Sequence, residues 1–413
     1  IKEFIKRYKN CSCGRTHTND IKAIETGSGI VNKTGDILLK NNFPKKILFV
    51  ADKNTLNASK GIIESLNSFE IVYQVYENLR TAEMKEVRRI EKLSKTVGGI
   101  LSVGTGSLND ICRLAAHRQN KPFAIFATAP SMDGFASDSA PITDGNFKIT
   151  YAAKTPEIII ADTKILADSP TELKSAGFGD MVAKYIALID WQVSALITGE
   201  YYCEKVADLT RTATDKIMSF ADKVTLKDEQ AAKAIFESLL LTGIAMSFTN
   251  NSRPASGTEH ILSHFWECKK LLEGQISDFH GKKVGVATLL IKKEYDKMIK
   301  HHSIKTHKEV NDWQDIYKAY EKLKDEVVKL NTPDTITDNI NLKKIESNWE
   351  NIREIVKSVP SYEQIYNAMK KAGCVTTVEQ IGVSEQLKNL GLKYHPYMRR
   401  RVSLYRLKNM MDF

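Results

Sequence analysis

Up to Ala167, short apolar runs alternate with amphipathic stretches. Residues 45–52 (KKILFVAD) read as a buried strand and 69–76 (FEIVYQVY) as a β-branched, aromatic one. Residues 97–103 (VGGILSV) and 122–128 (PFAIFAT) read as two more. Between them, 54–66, 81–95 and 108–117 space their apolar residues as helices do. Strand alternating with helix predicts a parallel sheet covered on both faces. Residues 147–153 and 157–162 (EIIIAD) read as a later strand pair. Beyond Ala167 strand-like runs stop. Residues 179–198, 228–247, 256–272, 312–328 and 363–372 show helical periodicity. Residues 330–341 (LNTPDTITDNIN) read as a polar connecting loop. The pattern predicts an α/β N-terminal domain with a Rossmann-like parallel sheet over 1–167, then an all-helical domain over 168–413. There is no internal repeat and no low-complexity tract.

A length of 413 residues suits two domains better than one core. Hydrophobic residues at 42% and charged residues at 27% suit a soluble globular chain. The uncharged stretch 238–252 mixes Leu and Ile with Thr, Ser and Asn, and falls short of the apolar run a bilayer demands. The opening IKEFIKRYKNCSCG is charged throughout and has no apolar core, so no signal peptide is expected. Six cysteines (Cys11, Cys13, Cys112, Cys203, Cys268 and Cys374) are too sparse for a disulfide framework and predict a reducing cytoplasm. Cys11 and Cys13, followed by His17, have no second Cys or His pair nearby to complete a tetrahedral metal site, so ordinary thiols are expected. The net charge of +10 favours anionic partners. Residues 393–408 (KYHPYMRRRVSLYRLK) hold no acid; without a nucleic-acid motif they read as a basic helix face, or as a substrate or subunit edge.

Chemistry concentrates at two places. GTGSLND (104–110) follows an apolar strand and opens a helix. Glycines there let the backbone approach a phosphate, and the helix N-terminus offers unpaired N–H groups and a positive dipole end. Ser107 and Asp110 equally suit plain capping, and the turn lacks the full G-x-G-x-x-G pattern. TAPSMDG (128–134) follows the next strand, and ligands of open α/β sheets bind at strand C-terminal ends. Asp52, at the end of 45–52, shares that edge. It suits either ribose hydroxyls or capping of the following helix.

The second place is in the helical half. Asp180 sits in GFGD at the start of a long helix; His260 and His264, in SGTEHILSH, are four apart and share a helix face. His280 opens HGKKVG. A lone histidine is more often a surface or core residue. Imidazoles grouped with a carboxylate at helix starts suit a catalytic metal, with three protein ligands and an open position. Ile261 after His260 excludes the H-E-x-x-H zinc-protease pattern.

Taken together, GTGSLND, TAPSMDGFAS, AGFGDMVAK, SGTEHILSH and HGKKVGVA resemble the glycerol-1-phosphate dehydrogenase branch of the iron-containing alcohol dehydrogenase and dehydroquinate synthase-like superfamily. The resemblance runs from the CSCGRTH opening through the helical half. It implies that Gly106, Ser107, Leu108, Asn109 and Asp110 hold the pyrophosphate of NAD(H) or NADP(H). Thr128, Ala129, Pro130, Ser131 and Ser137 would line the nicotinamide, and Asp52 the adenosine ribose. A carboxylate there repels a 2′-phosphate and favours NAD. Asp180, His260 and His280 would bind one divalent metal, nickel or zinc. Asp133, Asp180 and His264 would meet the substrate, His264 by orienting a hydroxyl or passing a proton. One departure is Thr105, which stands at the middle of the superfamily's commoner G-G-G turn. The implied reaction is reduction of dihydroxyacetone phosphate to sn-glycerol 1-phosphate, a glycerophospholipid precursor, by a cytoplasmic homodimer. Rival readings are a cyclase of the dehydroquinate synthase type, a glycerol dehydrogenase and a catalytically silent nucleotide-binding module. Asp180 argues against the first, whose metal is usually held by a Glu and two His; the intact ligand set argues against the last.

Overall fold

The alternating pattern builds a six-stranded parallel sheet. The computed structural model describes residues 2–145 and 147–413. Its strands are β1 (Ala23–Gly27), β2 (Lys46–Asp52), β3 (Glu70–Tyr76), β4 (Gly99–Gly104), β5 (Phe123–Ala127), β6 (Ser139–Asp144), β7 (Phe147–Ala152) and β8 (Ile158–Asp162). The sheet order is β1-β8-β5-β4-β2-β3, with every pairing parallel. β4, β5 and β8 are buried along their whole length, as continuous apolar runs predict for central strands covered on both faces. Alternate side chains serve opposite faces: Phe49 and Val103 pack into one layer, Leu48 and Ile100 into the other. β3 lies at the edge, and Tyr73 on it is 51% exposed.

The chain passes from β2 outward to β3, then returns to place β4 on the other side of β2. That reversal opens a crevice beyond the ends of β2 and β4. Asp52 ends one of these strands and Gly104 the other.

The two later strands do not pair with each other. β7 pairs antiparallel with β6, while β8 inserts between β5 and β1. The sequence pattern passed over β6 (SAPITD) because Pro, Ser and Asp break its apolar run, and over β1 (AIETG) because Glu, Thr and Gly follow its two apolar residues.

Beyond Asp162 the chain is helical apart from one two-residue pairing, Lys305–Thr306 with Met411–Asp412, among the described residues. Six long helices form its body: Thr171–Val182, Lys184–Thr198, Glu204–Met218, Glu229–Thr249, Thr258–Leu272 and His280–Met298. Thr171–Thr198 and Glu229–Thr249 are long and apolar enough to cross a membrane, but 78% and 83% of their most apolar windows are buried inside the fold. Their apolar surface is used by the core. Trp191, Phe236 and Ile244 join the layer that also holds Leu48 and Ile100, so helices and sheet share one core.

Two glycines set how closely the halves approach. A Cβ on Gly177 would lie 1.9 Å from the Pro130 carbonyl oxygen, so the loop after β5 rests directly on the Thr171–Val182 helix. A Cβ on Gly281 would lie 1.9 Å from the Ala176 carbonyl oxygen, so the His280–Met298 helix crosses the same helix backbone to backbone. The N-terminal segment also reaches the helical half, where Cys203 brings a third thiol to Cys11 and Cys13.

Candidate active site

A cavity of about 820 Å³ lies between the strand ends and the helices. Asp52, Thr105, Gly106, Ser107, Leu108 and Asp110 line its sheet side. His260, His264 and His280 line its helical side.

The Gly106–Arg118 helix begins with Thr105 at its N-cap, and no side chain caps it. Its first N–H groups therefore face the cavity end without an internal partner, the arrangement that receives an anion. Ser107 Oγ donates to the Arg80 carbonyl at 3.0 Å. Asn109 turns away: its Oδ1 accepts from Ser102 Oγ at 2.8 Å inside the core, and its N–H donates to the Thr105 carbonyl. Asp110 pairs with the buried guanidinium of Arg113 at 3.3 Å. Burial pushes the Asp110 carboxyl up to about 6, against the opposing pull of Arg113 and Lys148. Asp52 takes the capping role: its Oδ1 accepts from Thr55 N at 2.8 Å while its N–H donates to Thr55 Oγ1 at 3.0 Å. It still borders the cavity.

Of the loop after β5, Ser131, Asp133 and Ser137 reach the cavity wall; Thr128, Ala129 and Pro130 are buried behind it. Contact with Gly177 presses that part of the loop into the helix. Arg113, which the sequence reading missed, holds the loop by donating to the carbonyls of Gly134 and Phe135.

On the helical side, Asp180 and His280 lie on the two helices that cross at Gly281, and His260 is in the first turn of its own helix; Asp180 does not start a helix as its GFGD sequence suggested, because the helix already begins at Thr171 and places it in the last turn. One ligand atom from each of Asp180, His260 and His280 lies within 4.8 Å of the others. His260 Nε2 stands 3.6 Å from Asp180 Oδ1. His260 Nδ1 donates to Glu259 Oε1 at 2.6 Å. That partner fixes the tautomer and leaves the Nε2 lone pair facing Asp180. His264 is 6.3 Å from His260 and 5.9 Å from His280, ring centre to ring centre. Burial holds the His264 and His280 imidazoles well below their usual range, with Lys148 adding to the effect at both. Both rings are neutral near pH 7, with a lone pair to offer. The donor set, two imidazoles and a carboxylate with a carboxylate behind one ring, fits a divalent cation with open positions.

Asp190 locks this geometry. Its Oδ2 accepts from Thr258 N at 2.7 Å, fixing the start of the His260 helix, and its Oδ1 accepts from Tyr295 Oη at 2.6 Å and from Leu404 N at 3.0 Å. Lys184 is another residue the sequence did not single out. Fully buried, it sits 2.7 Å from Asp180 Oδ1 and 2.6 Å from Asp133 Oδ2. Its signal was present: Lys184 is four residues beyond Asp180 on a continuing helical run, where opposite charges meet. Lys184→Met should destabilise the protein by about 3 kcal/mol, because two buried carboxylates lose their shared cation. A lowered denaturant midpoint at unchanged slope checks this; an unmoved midpoint refutes it.

The remaining wall is cationic. Lys148 Nζ and Lys283 Nζ lie 3.0 and 3.1 Å from the two oxygens of Glu267. Burial alone would raise the Glu267 carboxyl, but Lys148 and Lys283 hold it well below its usual range. Arg399 and Arg401, from the acid-free stretch near the chain end, complete the wall. Arg401 donates to the Ser256 carbonyl and Ser252 Oγ. Arg399 makes no ion pair among the described residues, and burial depresses its guanidinium.

A profile of the family described as iron-containing alcohol dehydrogenase matches residues 25–170. A glycerol-1-phosphate dehydrogenase [NAD(P)+] of Geobacillus stearothermophilus is 30% identical over 402 residues, covering 95% of this chain and 93% of its own. The enzyme of the same name from Thermococcus kodakarensis is 32% identical over 271 residues, covering 62% and 76%. Among solved structures, NADH-dependent butanol dehydrogenase A of Thermotoga maritima superposes with a TM-score of 0.64 at 16% identity, covering 95% of this chain and 97% of its own. Sulfoacetaldehyde reductase of Bifidobacterium kashiwanohense, in complex with NAD+, superposes with a TM-score of 0.62 at 11% identity, covering 95% and 96%. These two likenesses concern the fold.

Proposed function

Because the chain belongs to the glycerol-1-phosphate dehydrogenases of the iron-containing alcohol dehydrogenase family, we propose that it reduces dihydroxyacetone phosphate to sn-glycerol 1-phosphate in the cytoplasm. The observation that carries this reading is the convergence of Asp180, His260 and His280 across one cavity from the uncapped Gly106 helix. In this reading residues 1–167 hold NAD(H) or NADP(H), and 168–413 hold the metal. When bound, the reduced nicotinamide supplies a hydride and the divalent cation supplies electrophilic charge at the C2 oxygen.

The chain's own groups do the rest. N–H groups of Gly106, Ser107 and Leu108 receive the pyrophosphate. Ser131 and Ser137 border the nicotinamide side. Asp180, His260 and His280 hold the cation; nickel and zinc both suit this donor set. Asp133, paired with Lys184, faces the substrate hydroxyl. Neutral His264 offers one N–H and one lone pair, which suits orienting that hydroxyl. Lys148, Lys283 and Arg399 receive the phosphate. Two ammoniums share one Glu267 carboxylate and Arg399 has no acid partner among the described residues, so this wall carries a net positive charge. That surplus separates the proposal from a glycerol dehydrogenase, whose substrate has no anionic end.

Loss of NADH absorbance on adding dihydroxyacetone phosphate to metal-loaded protein, abolished by a chelator, tests the reaction. Equal rates with unphosphorylated dihydroxyacetone would refute the substrate assignment. Arg399→Ala should raise KM for dihydroxyacetone phosphate about tenfold with little change in kcat. The slower reaction with dihydroxyacetone should not change.

A further inference from the structure

A second cluster of donor atoms lies outside the cavity. Cys11, Cys13, His17 and Cys203 each offer one atom, and all four lie within 4.8 Å of one another. Cys11 Sγ is 3.5 Å from Cys203 Sγ, and His17 Nε2 is 3.4 Å from Cys13 Sγ and 3.5 Å from Cys203 Sγ. Tetrahedral zinc, with bonds of about 2.3 Å to sulfur and 2.0 Å to nitrogen, sets its ligands about 3.8 Å apart for two sulfurs and 3.5 Å for sulfur and nitrogen. The cluster has that size. The thiols are free, and Cys11 and Cys203 stand too far apart to be bonded as a disulfide.

The surroundings are those of a built site. His17 is fully buried, and its Nδ1 donates to the Phe248 carbonyl at 2.8 Å. This bond fixes the tautomer and turns the Nε2 lone pair toward the sulfurs, as partners behind metal-bound imidazoles do. Tyr201 Oη lies 3.3 Å from Cys13 Sγ and can donate to a thiolate there. Three thiolates around a divalent ion leave one excess negative charge. The Arg15 guanidinium, 3.4 Å over the Tyr201 ring, supplies a positive charge beside it. Sulfur-rich donors select zinc over magnesium or calcium, and four protein ligands leave no open position for substrate.

We propose that Cys11, Cys13, His17 and Cys203 form a closed structural zinc site, distinct from the cation site at Asp180. It fastens the N-terminal segment to the helical half at two points. Cys203 immediately precedes the Glu204–Met218 helix, and Phe248 lies in the last turn of the Glu229–Thr249 helix. Asn19 adds a bond to Ser247 Oγ at 2.7 Å. Met246, Asn250 and Asn251, around the end of that second helix, line the cavity, so the zinc site steadies one wall of it from behind.

The test uses the full chain with both sites loaded. Cobalt substitution should give an intense near-ultraviolet thiolate-to-cobalt charge-transfer band, which a carboxylate and two imidazoles cannot produce. The band should survive His260→Ala. Titration of the native zinc protein with a mercurial should release one zinc per three thiols, caught by an indicator dye. Cys13→Ser combined with Cys203→Ser should lose one metal equivalent of two and lower the Tm. A cobalt protein without the band, a Cys11–Cys203 disulfide in the intact mass, or a double variant with unchanged zinc content would each overturn the proposal. The cobalt and mercurial measurements use the wild-type chain and hold even where the double variant fails to fold.

Discussion

His260→Ala is expected to lose about a thousandfold or more in kcat/KM, together with the metal held at Asp180. His260 Nε2 faces Asp180 Oδ1 at 3.6 Å, and its ring is set by Glu259 behind it. Alanine removes one of three donors. What remains, Asp180 and His280, is a two-ligand site whose carboxylate already has Lys184 as a partner. Elemental analysis beside a rate measurement checks both halves of the expectation. A variant that keeps its full metal content and turns over would sink the reading of the site. A variant that keeps the cobalt–thiolate band while losing turnover would separate the two metal sites cleanly.

Gly281→Ala is expected to destabilise the fold by about 3 kcal/mol or more and to impair turnover in whatever folds. The added methyl would sit 1.9 Å from the Ala176 carbonyl oxygen. That atom is helix backbone, so it cannot swing aside as a flexible side chain would. The two helices must separate, and they carry Asp180 and His280, the second of which is adjacent to the substituted residue. A denaturant titration reads the first effect; metal affinity reads the second. Wild-type stability and metal affinity together would show that the crossing is looser than the contact implies.

These two residues also show where the sequence was legible. Central strands were readable because burial on both faces writes itself as unbroken apolar runs, as in ILFVA of β2 and FAIFA of β5. The helical half was readable through periodicity, and His260 and His280 through their place in the first turns of helices, whereas Asp180 lies in the last turn of Thr171–Val182 and not at a helix start. β6 and β1 were not readable, because they have too little apolar content for periodicity to act on. Asn109 shows a different limit: it stands within the recognisable turn, but its side chain serves Ser102 in the core. A motif places a residue near a site without saying which way its side chain turns. Arg113 and Asp190 were passed over because the backbone groups they hold lie on other elements; Lys184 had a visible i,i+4 partner in Asp180, but its bond to Asp133 appears only once the loop after β5 packs on the helix. Cys203 is the extreme case. It is separated from Cys11 by 192 residues, and no local spacing announces the tetrad.

The cationic wall draws Arg399 and Arg401 from close to the end of the chain, and Leu404 reaches back to Asp190. Ribosomal synthesis runs in one direction, so the Gly106 turn and the Asp180 helix emerge long before these residues. During synthesis the sheet can thus fold before Arg399 and Arg401 have been added, and the cationic wall closes a cavity whose other walls are already built.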